Sequence, residues 1–125
     1  MSILYRFHEK YTDSILIRDF TGKVDVDQII ASWEYLMENR MLGENIRGVI
    51  NNLSTCELEM NMESFKKLIA YLGTHQEFSR IKLAVITANP KVVVFPALGE
   101  NIRKNLSIRP FSTEEAAVFW IVSEA

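Results

Sequence analysis

The chain has 125 residues, of which 48% are hydrophobic and 24% are charged, and its formal net charge is −2. This length and composition suit one domain whose core needs no disulfide or metal, and the single cysteine excludes an internal disulfide. The slight acidity disfavours a general nucleic-acid binder, because such proteins present a strongly basic face.

The sequence shows no targeting or membrane signal. Residues 1–6 lack the basic and apolar regions of a signal peptide. The longest apolar stretch, residues 92–98, is far shorter than the roughly 18 residues of a membrane span. Small secreted domains also usually rely on several disulfides. We therefore expect a cytoplasmic protein in which residues 1–125 form one domain.

The first twenty residues predict an antiparallel β-hairpin. Residues 3–10 and 14–20 read as its strands, with a turn-sized link between them. In the second strand, Ile15 points to one face of the sheet, while Leu16 and Arg18 point to the other.

Residues 21–23 break this pattern, and a helix is predicted to follow. Asp25 and Gln28 have the spacing of a capping box, and Gly43 is a plausible end for the helix. Its predicted apolar face consists of Ile29, Trp33, Leu36 and Met37.

The middle of the chain predicts a strand, a loop and a second helix. Residues 46–53 contain a short apolar run that suits a buried central strand. Residues 54–60 are predicted to form a loop, and residues 61–72 a helix. The apolar stripe of this helix consists of Phe65, Leu68, Ile69 and Leu72.

A further strand is predicted at residues 81–87, and Asn89-Pro90 is a strong signal for a helix start. Consecutive valines favour extended structure, and Pro96 disfavours a regular helix. Residues 92–98 therefore remain open among a helix, a kinked helix and an extended segment.

The chain closes with a short strand and a helix. Residues 108–111 contain Pro110, which cannot donate to a ladder, so this strand should lie at a sheet edge. Ser112 and Glu115 have capping-box spacing at the start of the last helix. The apolar face of that helix is predicted to contain Phe119 and Trp120.

The order β-β-α-β-α-β-α-β-α predicts an α/β fold, with a mostly parallel five-stranded sheet and helices packed on it. This order, together with residues 82–93 and 108–121, resembles the STAS domains and in particular the SpoIIAA-like family. The first segment resembles that family's strand, Asn/Asp-Pro turn and valine-rich helix start. The second resembles its closing strand, Ser/Thr cap, paired glutamates and Trp-aliphatic pair.

The resemblance implies a regulatory serine. Anti-sigma-factor antagonists of the STAS type carry a phosphorylatable Asp-Ser motif at the start of the helix after the third strand, where phosphate switches partner binding. The equivalent position here falls near Met60 and Asn61, which have no hydroxyl, and Ser64 is predicted inside the helix. We therefore expect this switch to be absent.

Polar side chains end two neighbouring strands of the predicted sheet. In open α/β sheets, ligands collect beyond the carboxyl ends of the strands, so these side chains are a candidate ligand- or partner-binding site. The alternative is that they form the hydrogen bonds that close the turns. The candidate residues are Asn52, Ser54, Thr55 and Asn89, with Asn51 beside them.

The remaining reactive side chains favour structural roles. His8 and His75 have no partner at metal-ligand spacing, and Cys56 stands among glutamates that disfavour a reactive thiolate. We expect no metal and no cofactor. A basic cluster could hold an anion, although a solvated surface is the simpler interpretation; it consists of Arg103, Lys104 and Arg109.

The sequence supports two functional hypotheses. Because no phosphate loop, nucleophile elbow or His/acid pair is present, the first is a non-catalytic regulatory module that binds a protein partner or itself. The second is a small-molecule or lipid-binding domain, since the SpoIIAA-like family resembles the CRAL-TRIO lipid carriers in core topology. Apolar side chains of residues 92–98 lining a cavity would favour the second.

Overall fold

The computed structural model describes residues 1–123, except for the side chains of residues 97, 100 and 101. Its strands are β1 (Ser2–Phe7), β2 (Ile15–Asp25), β3 (Gly48–Asn52), β4 (Cys56–Glu59), β5 (Lys82–Ile86) and β6 (Ser107–Phe111). Its α-helices are α1 (Val26–Glu38), α2 (Met62–Gly73), α3 (Pro90–Ile102) and α4 (Glu114–Val122), and a short 3₁₀ helix spans Gln76–Arg80.

The sheet has the strand order β1-β2-β3-β5-β6. β1 is antiparallel to β2, and the other pairs are parallel, which confirms the predicted hairpin and the mostly parallel sheet. β6 lies at the edge of the sheet. Because one side of an edge strand is unpaired, Pro110, which has no N–H, costs the sheet no hydrogen bond.

The second strand is longer than predicted. We expected residues 21–23 to end it, but β2 continues through them to Asp25. Within it, Gly22 adopts a positive φ of 82°, which a glycine tolerates. The extra length pairs with β4, in a segment predicted to be a loop, so the sheet of the described residues has six strands and not the predicted five. β3 and β4 thus follow each other along one side of β2, and these two boundary predictions were wrong.

The capping box of Asp25 and Gln28 at the start of α1 is confirmed. The predicted end at Gly43 is wrong, because α1 stops at Glu38. Arg40 takes the left-handed conformation (φ 55°), and the N–H of Met41 donates to the carbonyl of Leu36 at 2.9 Å. A Schellman-type turn therefore ends the helix without a glycine.

The start of α4 also differs from the prediction. Thr113 is the cap, since its Oγ1 accepts the N–H of Ala116, so the box of Ser112 and Glu115 was wrong. Phe119 is 76% exposed, and Ile121 packs on the sheet instead. Trp120, the other residue of the predicted face, is half-buried and packs against the same cluster as Ile121, so of these two residues only Phe119 was misplaced.

Proline does not divide the third helix. Residues 92–98 are helical, and Pro96 lies inside α3. The predicted start is confirmed, because Asn89 Oδ1 accepts the N–H of Lys91 at 3.0 Å and Pro90 occupies the first turn.

Different helices cover the two faces of the sheet. On the helix-rich face, Leu16 and Phe20 of β2 belong to a core formed with α1 and α2. On the α4 face, Ile15 packs in a second cluster with Ile121. Gly48 permits the close approach of α4, since a Cβ there would lie 2.7 Å from Ile121 Cγ2. The predicted alternation of β2 between opposite faces is confirmed.

Candidate functional site

A cavity of about 80 Å³ lies between the helix-rich face of the sheet and the helices α1, α2 and α3. Trp33 of α1 and Phe65 of α2 line two of its sides, and Val92 and Pro96 of α3 line a third. Leu83 of β5 is one of the sheet residues that it meets. The cavity is therefore walled by side chains that the helical and strand periodicities direct inward.

The cavity lies toward the carboxyl ends of the parallel strands. Leu53 and Met60, which follow β3 and β4, contribute to its wall, as does the first half of α3 after β5. This is the end of an open α/β sheet at which ligands usually bind.

Among the described residues, Arg18 of β2 is the charged side chain that lines this cavity, and it is only 1% exposed. Its Nε donates to Asn51 Oδ1 at 2.9 Å, and its Nη1 donates to Ser32 Oγ at 2.7 Å. Asn51 is held in turn by a bond from its Nδ2 to the carbonyl of Ala84. The guanidinium is thus fixed between β2, β3 and α1.

Two aromatic rings complete the surroundings of this guanidinium. The Cζ atom of Arg18 lies 3.7 Å from the ring centroid of Trp33 and 4.9 Å from that of Phe20. Cation–π attraction of this kind is strongest where water is excluded. The rings therefore offset part of the cost of burying the charge.

The charge of Arg18 has no carboxylate partner among the described residues. The ion pairs among the described residues join Arg6 to Asp19 and Glu114, and Lys67 to Asp27. Burial lowers the pKa of Arg18 to about 10, while the nearby Tyr5 phenol opposes that shift. The side chain is therefore positively charged at neutral pH, although buried charges are normally paired.

The predicted site residues after β3 close a turn. Asn52 Nδ2 donates to Asp19 Oδ1 at 2.9 Å, and Asn52 Oδ1 accepts bonds from the N–H and hydroxyl of Ser54. Thr55 Oγ1 donates to the carbonyl of Phe20 at 3.0 Å, where the chain passes from β3 to β4. These hydrogen bonds, within the turn and to β2, are of the kind that the structural alternative expects for these three residues.

Asn89 stands apart from them. It caps α3, and its N–H donates to Thr87 Oγ1 at 3.1 Å. Within the described part of the chain, no hydrogen bond joins it to Asn52, Ser54 or Thr55. A ligand-binding role for the four residues stays a prediction.

Sequence reasoning missed Arg18 and Ser32 as site residues. The available signal was a charged residue at a position of β2 that faces the core beside Leu16. Asn51 was named beside the candidate site, but its pairing with Arg18 could not be predicted, because the two lie 33 residues apart in the chain. Ser32, which lies 14 residues after Arg18, gave no such signal.

The other reactive side chains occupy structural positions. His8 Nδ1 accepts N–H groups in the hairpin turn, and His75 Nδ1 lies 2.7 Å from the carbonyl of Tyr71. Over residues 1–123, no cluster of three His, Cys, Asp or Glu side chains could hold a metal ion. Burial raises the pKa of the Cys56 thiol, which disfavours the reactive thiolate.

The predicted basic cluster is not assembled. Arg109 lies over the ring of Trp120 on the α4 face. Arg103 lies beside Gly73 at the end of α2, on the other side of the sheet. These cations therefore do not converge on one anion site.

Comparison with solved structures gives the fold. An uncharacterized protein of the DUF3478 family from Shewanella loihica PV-4, described as having a SpoIIAA-like fold, matches with a TM-score of 0.63 and 14% identity, over 96% of this chain and 92% of that one. The chain has a SpoIIAA-like fold. Within residues 1–123, no helix is long and apolar enough to cross a membrane.

Two further structures of this fold match at a TM-score of 0.53. The anti-sigma factor antagonist SpoIIAA in its unphosphorylated form is 15% identical, over 96% of this chain and 97% of that one. The Bacillus cell fate determinant SpoIIAA in its phosphorylated form is 16% identical, over 96% and 99%. No protein-family model and no curated protein matches the sequence. The predicted resemblance is thus confirmed at the level of the fold.

We predict that Ser32→Ala lowers the free energy of unfolding by about 1–3 kcal/mol, because it removes an acceptor from a buried, charged donor. The loss should appear although alanine is the better helix former by about 0.5 kcal/mol. Urea unfolding at pH 7 measures it, with the exposed Ser112→Ala as the control, expected to change stability by less than about 0.5 kcal/mol. Equal stability of the two variants would contradict the role of Ser32.

Proposed function

We propose that this chain is a non-catalytic STAS-like binding module that holds a small apolar ligand in the cavity between its sheet and α1, α2 and α3. The main support for the proposal is the cavity, because its described wall residues have apolar side chains apart from Arg18 and Asn51. Ligand sites are typically concave, apolar and preformed, with a few polar groups that fix orientation. The contribution of Val92 and Pro96 to the wall is the feature expected of a ligand-binding domain.

The cavity restricts the size of this ligand. About 80 Å³ of free space is well below the roughly 300–1,000 Å³ of sites for drug-sized molecules. An apolar cavity that accepts benzene has a volume of about 150 Å³. The proposed ligand is therefore smaller than an aromatic ring, of the size of a short alkyl chain.

The polar groups at the cavity support a binding role without catalysis. Arg18 and Asn51 hold each other, and neither is a nucleophile or a general base at neutral pH. The described residues that line the cavity include no carboxylate, histidine or cysteine. Acid–base or covalent catalysis needs such groups within reach of the substrate.

A second candidate function is self-association through α4. Phe119 is 76% exposed, and the shallow surface beside it combines Val118 with charges of both signs, Lys10 and Glu115. A two-fold contact brings such a surface against its own copy, so that each lysine can meet the other protomer's glutamate. This surface fits the hypothesis of an interaction module that binds itself.

We predict that xenon, an apolar atom smaller than an aromatic ring, binds the protein, as followed by ¹²⁹Xe NMR titration. Val92→Phe should weaken this binding at least tenfold, because the larger side chain fills the cavity. Val93→Phe is the matched control, since Val93 lies on the same helix, is exposed and does not line the cavity. Absence of saturable binding to the wild-type protein would overturn the proposed ligand function.

We predict that sedimentation velocity shows a concentration-dependent shift from monomer to dimer. Phe119→Asp should keep the protein monomeric, since the charge would be buried against the second copy. Val94→Asp, which also replaces an exposed apolar residue but lies on α3, should leave the shift unchanged. A wild-type protein that stays monomeric at all accessible concentrations excludes this candidate.

We also propose that the module lacks a phosphorylation switch at the start of α2. Asn61 is the cap of that helix, and Ser64 stands at its third position. The Ser64 hydroxyl accepts the Asn61 N–H at 3.0 Å and lies 3.2 Å from the Asn61 carbonyl. This hydroxyl is thus engaged in capping, and a phosphate on it would break the reciprocal capping box.

We predict that incubation with the cognate kinase of a SpoIIAA-like protein and ATP leaves the intact mass unchanged, while that kinase's own substrate gains phosphate in parallel. Ser64→Ala locates any modification that does occur. Stoichiometric transfer of one phosphate to the wild-type chain and none to Ser64→Ala would show that the switch exists after all.

A further inference from the structure

A second hollow lies at the end of the sheet opposite the apolar cavity. It has a volume of about 570 Å³, is open to solvent, and lies where the amino ends of β3 and β5 meet the last turn of α4. Arg47, Arg80 and Lys82 line it, and Glu44 is the carboxylate among its described wall residues. We propose that this hollow binds the phosphate group of a small molecule.

The order of the strands brings these cations together. β3 and β5 are parallel neighbours in the register Gly48↔Lys82, so Arg47 directly precedes one strand where Lys82 begins the other. Arg80 ends the 3₁₀ helix that leads into β5. Because adjacent strands lie about 4.8 Å apart, long side chains at these positions can reach one common anion.

The ammonium of Lys82 is held by the end of α4. Its Nζ donates to the carbonyl of Trp120 at 2.8 Å and to that of Ser123 at 2.9 Å. The carbonyl end of a helix carries a partial charge of about −0.5, which this ammonium more than neutralises. Burial lowers the pKa of Lys82, and the charges of Arg47 and Arg109 lower it further, so the surroundings of the ammonium remain positive.

The two arginines keep donors for a further acceptor. Arg47 Nη2 donates to the carbonyl of Val122, and Arg80 Nη2 donates to the carbonyl of Leu42, each at 3.2 Å. Neither guanidinium forms another hydrogen bond or an ion pair with a described residue. Both residues are exposed, so an anion in the hollow can reach their remaining N–H groups.

The charge of the hollow suits a phosphate group. Its three cations are opposed by Glu44 and by the partial charge at the end of α4, which leaves an excess of about 1.5 positive charges. A phosphate monoester carries about −1.5 to −2 charges at pH 7 and has three acceptor oxygens, which suit two guanidinium groups. A single carboxylate would leave part of the excess uncompensated.

A purely structural interpretation gives the three cations the role of capping backbone carbonyls. Cations stabilise the carboxyl end of a helix, and this role accounts for Lys82. It needs only one N–H of each arginine, and it predicts no saturable binding of phosphate. Phosphate binding therefore distinguishes the two interpretations.

The test is a titration of the ¹⁵N-labelled protein with inorganic phosphate and with phenyl phosphate at pH 7 and low ionic strength. We expect saturable shifts of the amide signals of Gly48 and Ser123, whereas sodium chloride of equal ionic strength should cause no saturable shift. Tighter binding of phenyl phosphate would assign the site to a phosphate monoester. Binding of inorganic phosphate that is equal or tighter would assign it to free phosphate.

Variants locate the binding in the hollow. Arg47→Gln and Arg80→Gln should each weaken phosphate binding about fivefold, the upper range for one exposed ion pair. Glu44→Gln should strengthen binding about twofold, because it removes a like charge. The matched controls, Lys23→Gln and Glu57→Gln, make the same changes of net charge where β2 pairs with β4 and should leave the affinity unchanged. All five residues are exposed, and circular dichroism checks the fold of each variant.

The outcomes separate this inference from the proposed ligand function. Absence of saturable shifts with both phosphates overturns the inference, and so does unchanged affinity in both arginine variants. An equal loss of affinity in Arg47→Gln and Lys23→Gln also overturns it, since binding would then follow net charge and not the hollow. Because these residues do not line the apolar cavity, xenon binding should stay unchanged in every variant.

Discussion

The helix-rich side of this protein is organised around one buried guanidinium. Arg18 bonds to Asn51 of the adjacent strand and to Ser32 of α1, and it stacks on Trp33 one residue further along that helix. Because a buried charge tolerates few geometries, these contacts fix the rotation of α1 over the sheet. The position of α1 in turn defines one wall of the cavity.

Much of the fold follows from local signals. The capping box of Asp25 and Gln28 and the edge strand with Pro110 were predicted, because each depends on backbone chemistry within a few residues. The boundaries that failed depended on conformations that the residue types do not reveal. Gly22 continues a strand, and Arg40 takes the left-handed turn usually given to glycine.

Much less of the candidate site could be predicted from the sequence. Asn52, Ser54 and Thr55 were correctly expected near the carboxyl ends of the strands, yet their hydrogen bonds serve the passage from β3 to β4. The cavity depends on the spacing between α3 and the sheet, which the pattern of residues 92–98 left open. Distances between distant segments are a tertiary property, and no local periodicity encodes them.

Because different helices cover the two faces of the sheet, the protein has two hydrophobic cores that the sheet separates. Ile17 and Ile50 belong to the core under α4, whereas their neighbours in the chain, Arg18 and Asn51, belong to the cavity side. Because side chains alternate between the two faces along each strand, those of one core can change without altering those of the other. Descendants of such a domain can diversify the surface around α4 while inheriting the same interior chemistry.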